Sequence, residues 1–269
     1  MKHLNVDGLD IAYCDQGKGP VVILGHCSSA SHKEWAPLIE ELRGSNRVLA
    51  PDFTGYGQSQ SWPADRPFTI DADLSILTAL AKKTRGPLHI VAHSYGAALA
   101  LEAARTLGRR LKSLTLIEPL SFHLLRLEHG PEWVEIEKLG LAVLGAVARG
   151  DHREAARVFM SYWLGRFRWW ISPERFKQAI AATIPKVALE FSIALSAQAT
   201  LSDYAKITAP TVLIVGSKTR KPARAVVDLL GGALPNAQVK ILKGAGHMSP
   251  FTHPSEVDRL VLDHLAAQS

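Results

Sequence analysis

The chain reads as an α/β protein, a mostly parallel doubly wound sheet broken by one all-helical insertion. Three observations predict this. Short apolar runs alternate with helical periods over the first 119 residues, strands then vanish until about residue 205, and the alternation resumes to the C-terminus. Such alternation builds parallel sheets with helices on both faces, because each parallel pairing needs a crossover. A length of 269 residues allows one large domain, or one domain plus a modest insertion. The expected division is a core of residues 1–119 and 206–269 with an insertion at 120–205.

Each element has its own signal. His3 to Val6 and Leu9 to Cys14 flank Asp7-Gly8, the signature of a hairpin. Pro20 to Gly25 is a continuous apolar run ending in glycine, as buried parallel strands do. A helix is expected over Lys33–Leu42, a short strand over Arg47–Ala50, and a Gly/Pro/Ser-rich loop over Pro51–Pro67. Ile70–Lys83 has helical spacing, Leu88–Ala92 reads as a strand, Ala97–Leu107 as an alanine-rich helix, and Leu114–Ile117 as the next strand. The insertion collects aromatics, among them Trp133, Phe159, Trp163, Trp169 and Trp170. Thr211–Val215 and Gln238–Leu242 are the last strands, with helices at Pro222–Leu230 and Ser255–Leu265.

Composition narrows the function classes. Hydrophobic residues are 47% and charged residues 21%, ordinary values for a globular chain. The net charge is 31 − 25 = +6, with a pI near 9.4. Its basic residues are scattered rather than interleaved with aromatics in a run, so no nucleic-acid partner is expected. Cys14 and Cys27 are too few for a disulfide framework or a four-cysteine metal site. They fit a reducing cytoplasm. The N-terminus lacks an apolar signal core, and the longest apolar stretch, Leu139–Ala148, is too short to span a bilayer. No membrane partner is expected. No Gly-x-x-x-x-Gly-Lys, His-Glu-x-x-His or carboxylate–histidine spacing points to a nucleotide or metal. Neither cofactor nor metal is expected, and the oligomeric state is left open.

Four segments carry the candidate chemistry. Ala92-His93-Ser94-Tyr95-Gly96 lies between a strand and a helix. A serine there can sit on a tight turn, its hydroxyl held out at the carboxyl end of the sheet. The blander reading of Ser94 is a helix N-cap. His247 follows the last strand in Gly244-Ala245-Gly246-His247, where two glycines let the loop bend back over the sheet edge. A general base for Ser94 must come within hydrogen-bond reach of it. Gly25-His26-Cys27-Ser28 follows the first parallel strand; the backbone N–H groups of Ser28 and Tyr95 are the candidate oxyanion hole. His26 reads as a loop brace, and Cys27 shows no basic partner that would make it a nucleophile. The fourth segment is Asp52-x-x-Gly55-x-Gly57-x-Ser59, a glycine-containing turn.

Together, and in this order, the four segments resemble the α/β-hydrolase fold family over nearly the whole chain. The resemblance implies Ser94 as nucleophile, His247 as base, and the insertion as a helical cap over a site at the core. It implies a small-molecule substrate without naming it, since the family spans esterases, lactonases, carbon–carbon hydrolases, thioesterases, lyases and some non-enzymes. Members that use an aspartate nucleophile are set aside, because Ser94 stands in its place. Two features depart from the pattern. Ala92 replaces a glycine, and the segment after Val215, Gly216-Ser217-Lys218-Thr219-Arg220-Lys221, has no carboxylate where the family's commonest acid lies. Asp228, the nearest acid downstream, falls well inside the next helix.

Glu118 is the candidate replacement. Leu114 to Pro119 puts its carboxylate at the carboxyl end of the strand that, in the resembling fold, lies beside the one bearing Ser94. Some dehalogenase-like members place their acid there. The expected function is a serine hydrolase that cleaves a small to medium, largely apolar ester, lactone or related carbonyl substrate through an acyl-enzyme. Two rivals remain open: a non-hydrolytic lyase on the same fold, and a non-catalytic ligand-binding protein.

Overall fold

The computed structural model describes residues 1–268. β1 (Lys2–Val6) and β2 (Leu9–Gln16) form an antiparallel hairpin. Its two turn residues, Asp7 and Gly8, have φ of 50° and 86°, the left-handed pair that a two-residue hairpin turn requires. β3 (Val21–Gly25) is followed by a 3-10 turn at His32–Trp35 and α1 (Ala36–Leu42). Then come β4 (Arg47–Pro51), α2 (Asp71–Lys82), β5 (Leu88–His93), α3 (Ser94–Leu107) and β6 (Leu111–Ile117). A helical stretch holds α4 (Pro131–Ala148), α5 (His152–Leu164), α6 (Arg166–Ile171), α7 (Glu174–Ser196) and α8 (Leu201–Tyr204). β7 (Thr211–Gly216), α9 (Lys221–Ala233), β8 (Ala237–Leu242), α10 (Ser249–Thr252) and α11 (Pro254–Ala266) complete the chain.

The eight strands form one sheet in the order β1-β2-β4-β3-β5-β6-β7-β8. Only the pairings of β2, with β1 and with β4, are antiparallel; the rest are parallel. The fold class is the expected one. β3, β5 and β7 are buried along their whole length, which is why they read as unbroken apolar runs. One face carries α2, α3 and α9, with Ile76, Leu99 and Val226 in the core. The other carries α1 and α11, with Trp35, Leu38 and Val261. The carboxyl ends of β5, β6 and β8 therefore open toward one edge, where Ser94, Glu118 and the loop of His247 follow.

Within the helical stretch, α4, α5 and α7 pack on one another. Trp169 and Trp170 are neighbours on α6 and face opposite ways: Trp169 is 7% exposed and Trp170 73%. One sequence expectation needs correcting. By length and composition α7 is apolar enough to cross a membrane, with a mean hydropathy of 1.4 in its best window. Lys186 and Glu190 interrupt the helix, so it holds no long unbroken apolar run. Both are turned inward, where Lys186 Nζ bonds Asp73 at 2.7 Å and Glu190 at 2.8 Å. Those contacts tie α7 to the core.

Candidate active site

Ser94 is the first residue of α3, and its φ is +57°. A non-glycine residue in this region is strained, and surrounding structure must hold it there. The turn is tight on both sides. A Cβ on Gly96 would lie 2.5 Å from the carbonyl oxygen of His26, so position 96 admits no side chain. Position 92 is different. Ala92 pairs with Gly25 across β3 and β5, and a Cβ on Gly25 would come 3.1 Å from the Ala92 methyl. The methyl of Ala92 thus occupies space that Gly25 leaves free, which explains how alanine replaces glycine there.

The structure brings the three sequence-predicted side chains into one line. His247 Nε2 lies 3.0 Å from Ser94 Oγ, and His247 Nδ1 lies 2.8 Å from Glu118 Oε2. All three are nearly or fully buried. Glu118, at φ +44°, also accepts from the Gly216 N–H at 2.9 Å and the Thr219 hydroxyl at 2.6 Å. The segment after β7 therefore supplies donors to the carboxylate instead of a carboxylate of its own. Burial alone would raise the Glu118 carboxyl; the bonds from His247, Thr219 and Gly216 outweigh it and hold the group below its ordinary range. Burial pushes His247 the other way, below its ordinary value, and the Glu118 contact only partly offsets this. Asp228 is elsewhere, paired with Arg224 on α9 at 2.8 Å.

The two candidate oxyanion donors stand on separate elements. Tyr95 is the second residue of α3, and Ser28 sits on the loop after β3. Among the described residues neither N–H donates a hydrogen bond. His26 braces that loop: its Nε2 accepts from the Phe53 N–H at 3.0 Å, and its Nδ1 reaches the Cys27 carbonyl at 2.7 Å. The Asp52–Ser59 turn is a scaffold. Asp52 accepts from the backbone of His32 and Gln58, each within 2.9 Å. The Ser28 hydroxyl is held by Glu190 of α7, which also takes the Tyr56 hydroxyl at 2.8 Å. Ser29 meets Thr183 of α7 at 2.9 Å.

A second buried line lies behind the first, and the sequence carries no sign of it. His93 Nδ1 is 2.6 Å from Glu34, and His93 Nε2 is 2.9 Å from the carbonyl oxygen of His247. Both contacts are to oxygen acceptors, a carboxylate and a main-chain carbonyl. Burial would raise Glu34, but the charge and hydrogen bond of His93, together with the bond from the Cys27 N–H, more than reverse it. Glu34 accepts from the Cys27 N–H at 2.8 Å as well. The donor atoms of Cys27, Glu34 and His93 fall within 4.8 Å of one another. That corrects the expectation that no such cluster forms: its members are remote in sequence, so spacing could not reveal it. Its hydrogen bonds account for the proximity. The absence of a basic neighbour for Cys27 is corrected too, by His93, yet burial first and Glu34 second push the Cys27 thiol well above its ordinary value. It stays a thiol.

Above Ser94 is a cavity of about 290 Å³. Its walls include Phe159, Met160, Trp163, Leu164, Phe176 and Ile180 from the helical stretch, and Ser94, His247 and Ser28 from below. Trp163 stacks on His247, with ring centroids 3.9 Å apart and planes 28° from parallel. Its Nε1 is buried without a partner.

Comparison with known proteins bears on the fold and the family. A carbamate hydrolase by name, RutD of Pseudomonas savastanoi pv. phaseolicola, is 26% identical over 267 residues, covering 97% of this chain and 99% of the other. Two solved structures share the fold. An α/β hydrolase from a Medee basin deep-sea metagenome library, MGS-M2, has a TM-score of 0.84 at 18% identity, over 98% of this chain and 97% of its own. An esterase from Thermogutta terrifontis has a TM-score of 0.78 at 22% identity, over 100% and 99%. The alpha/beta hydrolase family pattern matches residues 21–260, from the first parallel strand into the last helix. By that match, the chain belongs to the alpha/beta hydrolase family.

Proposed function

We propose that the protein is a serine hydrolase that cleaves small to medium, largely apolar esters or lactones through an acyl-enzyme. The observation that carries this reading is the unbroken line Ser94–His247–Glu118 at the floor of an apolar cavity. His247 is neutral at neutral pH, because burial depresses it, and so is able to take the Ser94 proton as Oγ attacks the carbonyl carbon. Glu118 fixes the tautomer through Nδ1–H and stabilises the imidazolium. The Ser28 and Tyr95 N–H groups receive the developing oxyanion. Collapse of the intermediate expels the alcohol, which leaves with the proton from His247. Water, deprotonated by the same histidine, then releases the acid and restores Ser94.

The helical insertion at 120–205 acts as the cap over this site. Its apolar walls favour substrates uncharged near the reacting carbonyl. RutD and the Thermogutta enzyme are named for acyl compounds of the same electrophilic kind, a carbamate and an ester. Cys14 and Cys27, free and buried, suit a reducing compartment, in keeping with a cytoplasmic site of action. The test is a fluorophosphonate probe together with a panel of esters and lactones of graded chain length. Stoichiometric labelling of Ser94, lost in Ser94→Ala, and turnover favouring bulkier apolar acyl groups are expected. An inert Ser94 with tight ligand binding would turn the reading to the non-catalytic rival.

A further inference from the structure

The insertion has a surface that neither its packing nor the cavity over Ser94 explains. α6 and the turn into α7 expose Phe167 at 69%, Trp170 at 73% and Ile171 at 57%. The Phe167 and Trp170 rings are 6.2 Å apart and form one patch. Cations surround it. Arg153 and Arg157 are neutralised by Glu174 and Glu154. Arg166, Arg168 and Arg175 are exposed and have no acidic partner among the described residues. Lys177 Nζ, 2.9 Å from the Trp170 carbonyl, lies at the foot of the same patch. Between the aromatics and the arginines runs an open groove of about 650 Å³, whose wall holds Arg153, Arg157, Arg166 and Lys177 against two acids, Asp151 and Glu154.

We propose that this surface docks on the face of an anionic lipid bilayer. The chemistry of the two parts matches the two layers of such a face. Indole and phenyl rings prefer the headgroup level, where an apolar body and a polar edge are both satisfied. Guanidinium groups pair with lipid phosphates bidentately, and unpaired ones have no internal salt bridge to give up. A short amphipathic helix lying in the interface buries only its outward side chains. Ile171, which has no stacking surface, favours acyl chains over the bases of a single-stranded nucleic acid. The surface also adjoins the cavity. Trp169, on the inner side of α6, sits 6.4 Å from Phe176, and Phe176 lines the cavity over Ser94. An acyl chain leaving the bilayer at α6 is thus one layer of side chains from the site. That last step rests on the proposed hydrolase function; the docking itself does not. The proposal departs from the expectation, drawn from sequence, that no membrane partner exists. A surface contact needs no spanning segment.

The test uses the full chain with sedimenting vesicles of phosphatidylcholine alone, or of phosphatidylcholine and phosphatidylglycerol in equal parts. Strong binding to the anionic vesicles, weak binding to the neutral ones and release by salt are expected. Phe167→Ser with Trp170→Ser should abolish binding. Arg168→Gln and Arg175→Gln should each weaken it about fivefold. Hydrolysis of a short soluble ester should be unchanged in all three variants, which keeps a failed docking separate from a failed catalytic reading. Three results would overturn the proposal: no preference for anionic vesicles, binding unaffected by the double aromatic replacement, or tighter binding to oligothymidylate than to vesicles. A dimer in solution that the double replacement dissolves would assign the patch to self-association instead.

Discussion

The imidazole of His93 holds the main chain of His247, its Nε2 lying 2.9 Å from that residue's carbonyl oxygen. The two rings are 5.0 Å apart. The residue directly before Ser94 thereby sets the position of the loop that brings His247 to Ser94, and its charge opposes a second cation on His247. His93→Gln removes both effects. Turnover should fall by about 10²-fold from misplacement alone. The acid limb of the kcat/KM profile should move to higher pH, because the lost cation no longer depresses His247. A purely structural role would lower stability without moving that limb.

Replacing the line itself should cost far more. Ser94→Ala should lower turnover by about 10⁶, as in characterised triads. Glu118→Gln should keep the fold and lower it by up to about 10⁴, through the wrong histidine tautomer. Asp228→Asn, which breaks only a surface pair with Arg224, should be nearly silent. Steady-state kinetics on folded, purified variants check all three. Near-normal turnover in Glu118→Gln would remove it from the mechanism.

The pH dependence follows from His247. Its folded value lies below the ordinary 6.5. The neutral form required of a base therefore persists below pH 6.5, and the acid limb of kcat/KM should have its midpoint under that value. A midpoint above 6.5 would show that Glu118 outweighs burial.

Asp258 bears on stability. It is 6% exposed on α11, and burial, with Glu41 nearby, raises its carboxyl to about 6. A group whose folded value is raised stabilises most below its unfolded value of 3.8, and the benefit is lost as pH rises through 6. At neutral pH its charge is a liability. Asp258→Asn should stabilise the fold by about 1–3 kcal/mol at pH 7 to 8 and not at all below pH 4. Thermal melts at the two ends of that range decide it.

Trp163 tests the wall of the cavity. Trp163→Ala removes the ring stacked on His247 and widens the space above Ser94. The preference among acyl chain lengths should shift toward longer or branched groups, with a loss in turnover for the best natural-size ester. Kinetics across a chain-length series measure the shift.

Some of this architecture was legible in the sequence for definite reasons. β3, β5 and β7 are buried on both faces, so apolar runs betray them. Ser94 and Glu118 each stand directly after a strand, and the glycines ahead of His247 lie within four residues of one. Other features were hidden. β6 begins at Leu111, three residues before its apolar run, because Lys112 and Ser113 break the pattern; Ser113 is buried against His89 at 2.7 Å, a partner 24 residues away. α3 begins at Ser94 rather than Ala97, since a left-handed φ at its first residue has no local signature. Lys186 looks like a surface lysine until α7 folds against Asp73, 113 residues distant, and the ammonium settles 4.5 Å from the Phe68 ring centroid. Glu34 and His93 are ordinary letters until β3 and β5 lie side by side.

The placement of Glu118 just past β6 has a consequence for modularity. Ser94 and Glu118 directly follow adjoining strands, with His93 paired to Ile117 in register. Their separation is set before the chain enters the helical stretch. Exchange of the helical stretch for another is therefore expected to leave Ser94 and Glu118 in place, provided that the return of the His247 loop and the contacts of Lys186 and Glu190 with the core are preserved. A chimera that keeps both junctions and the Ser28–Glu190 contact would inherit the chemistry of this chain and the selectivity of the donor.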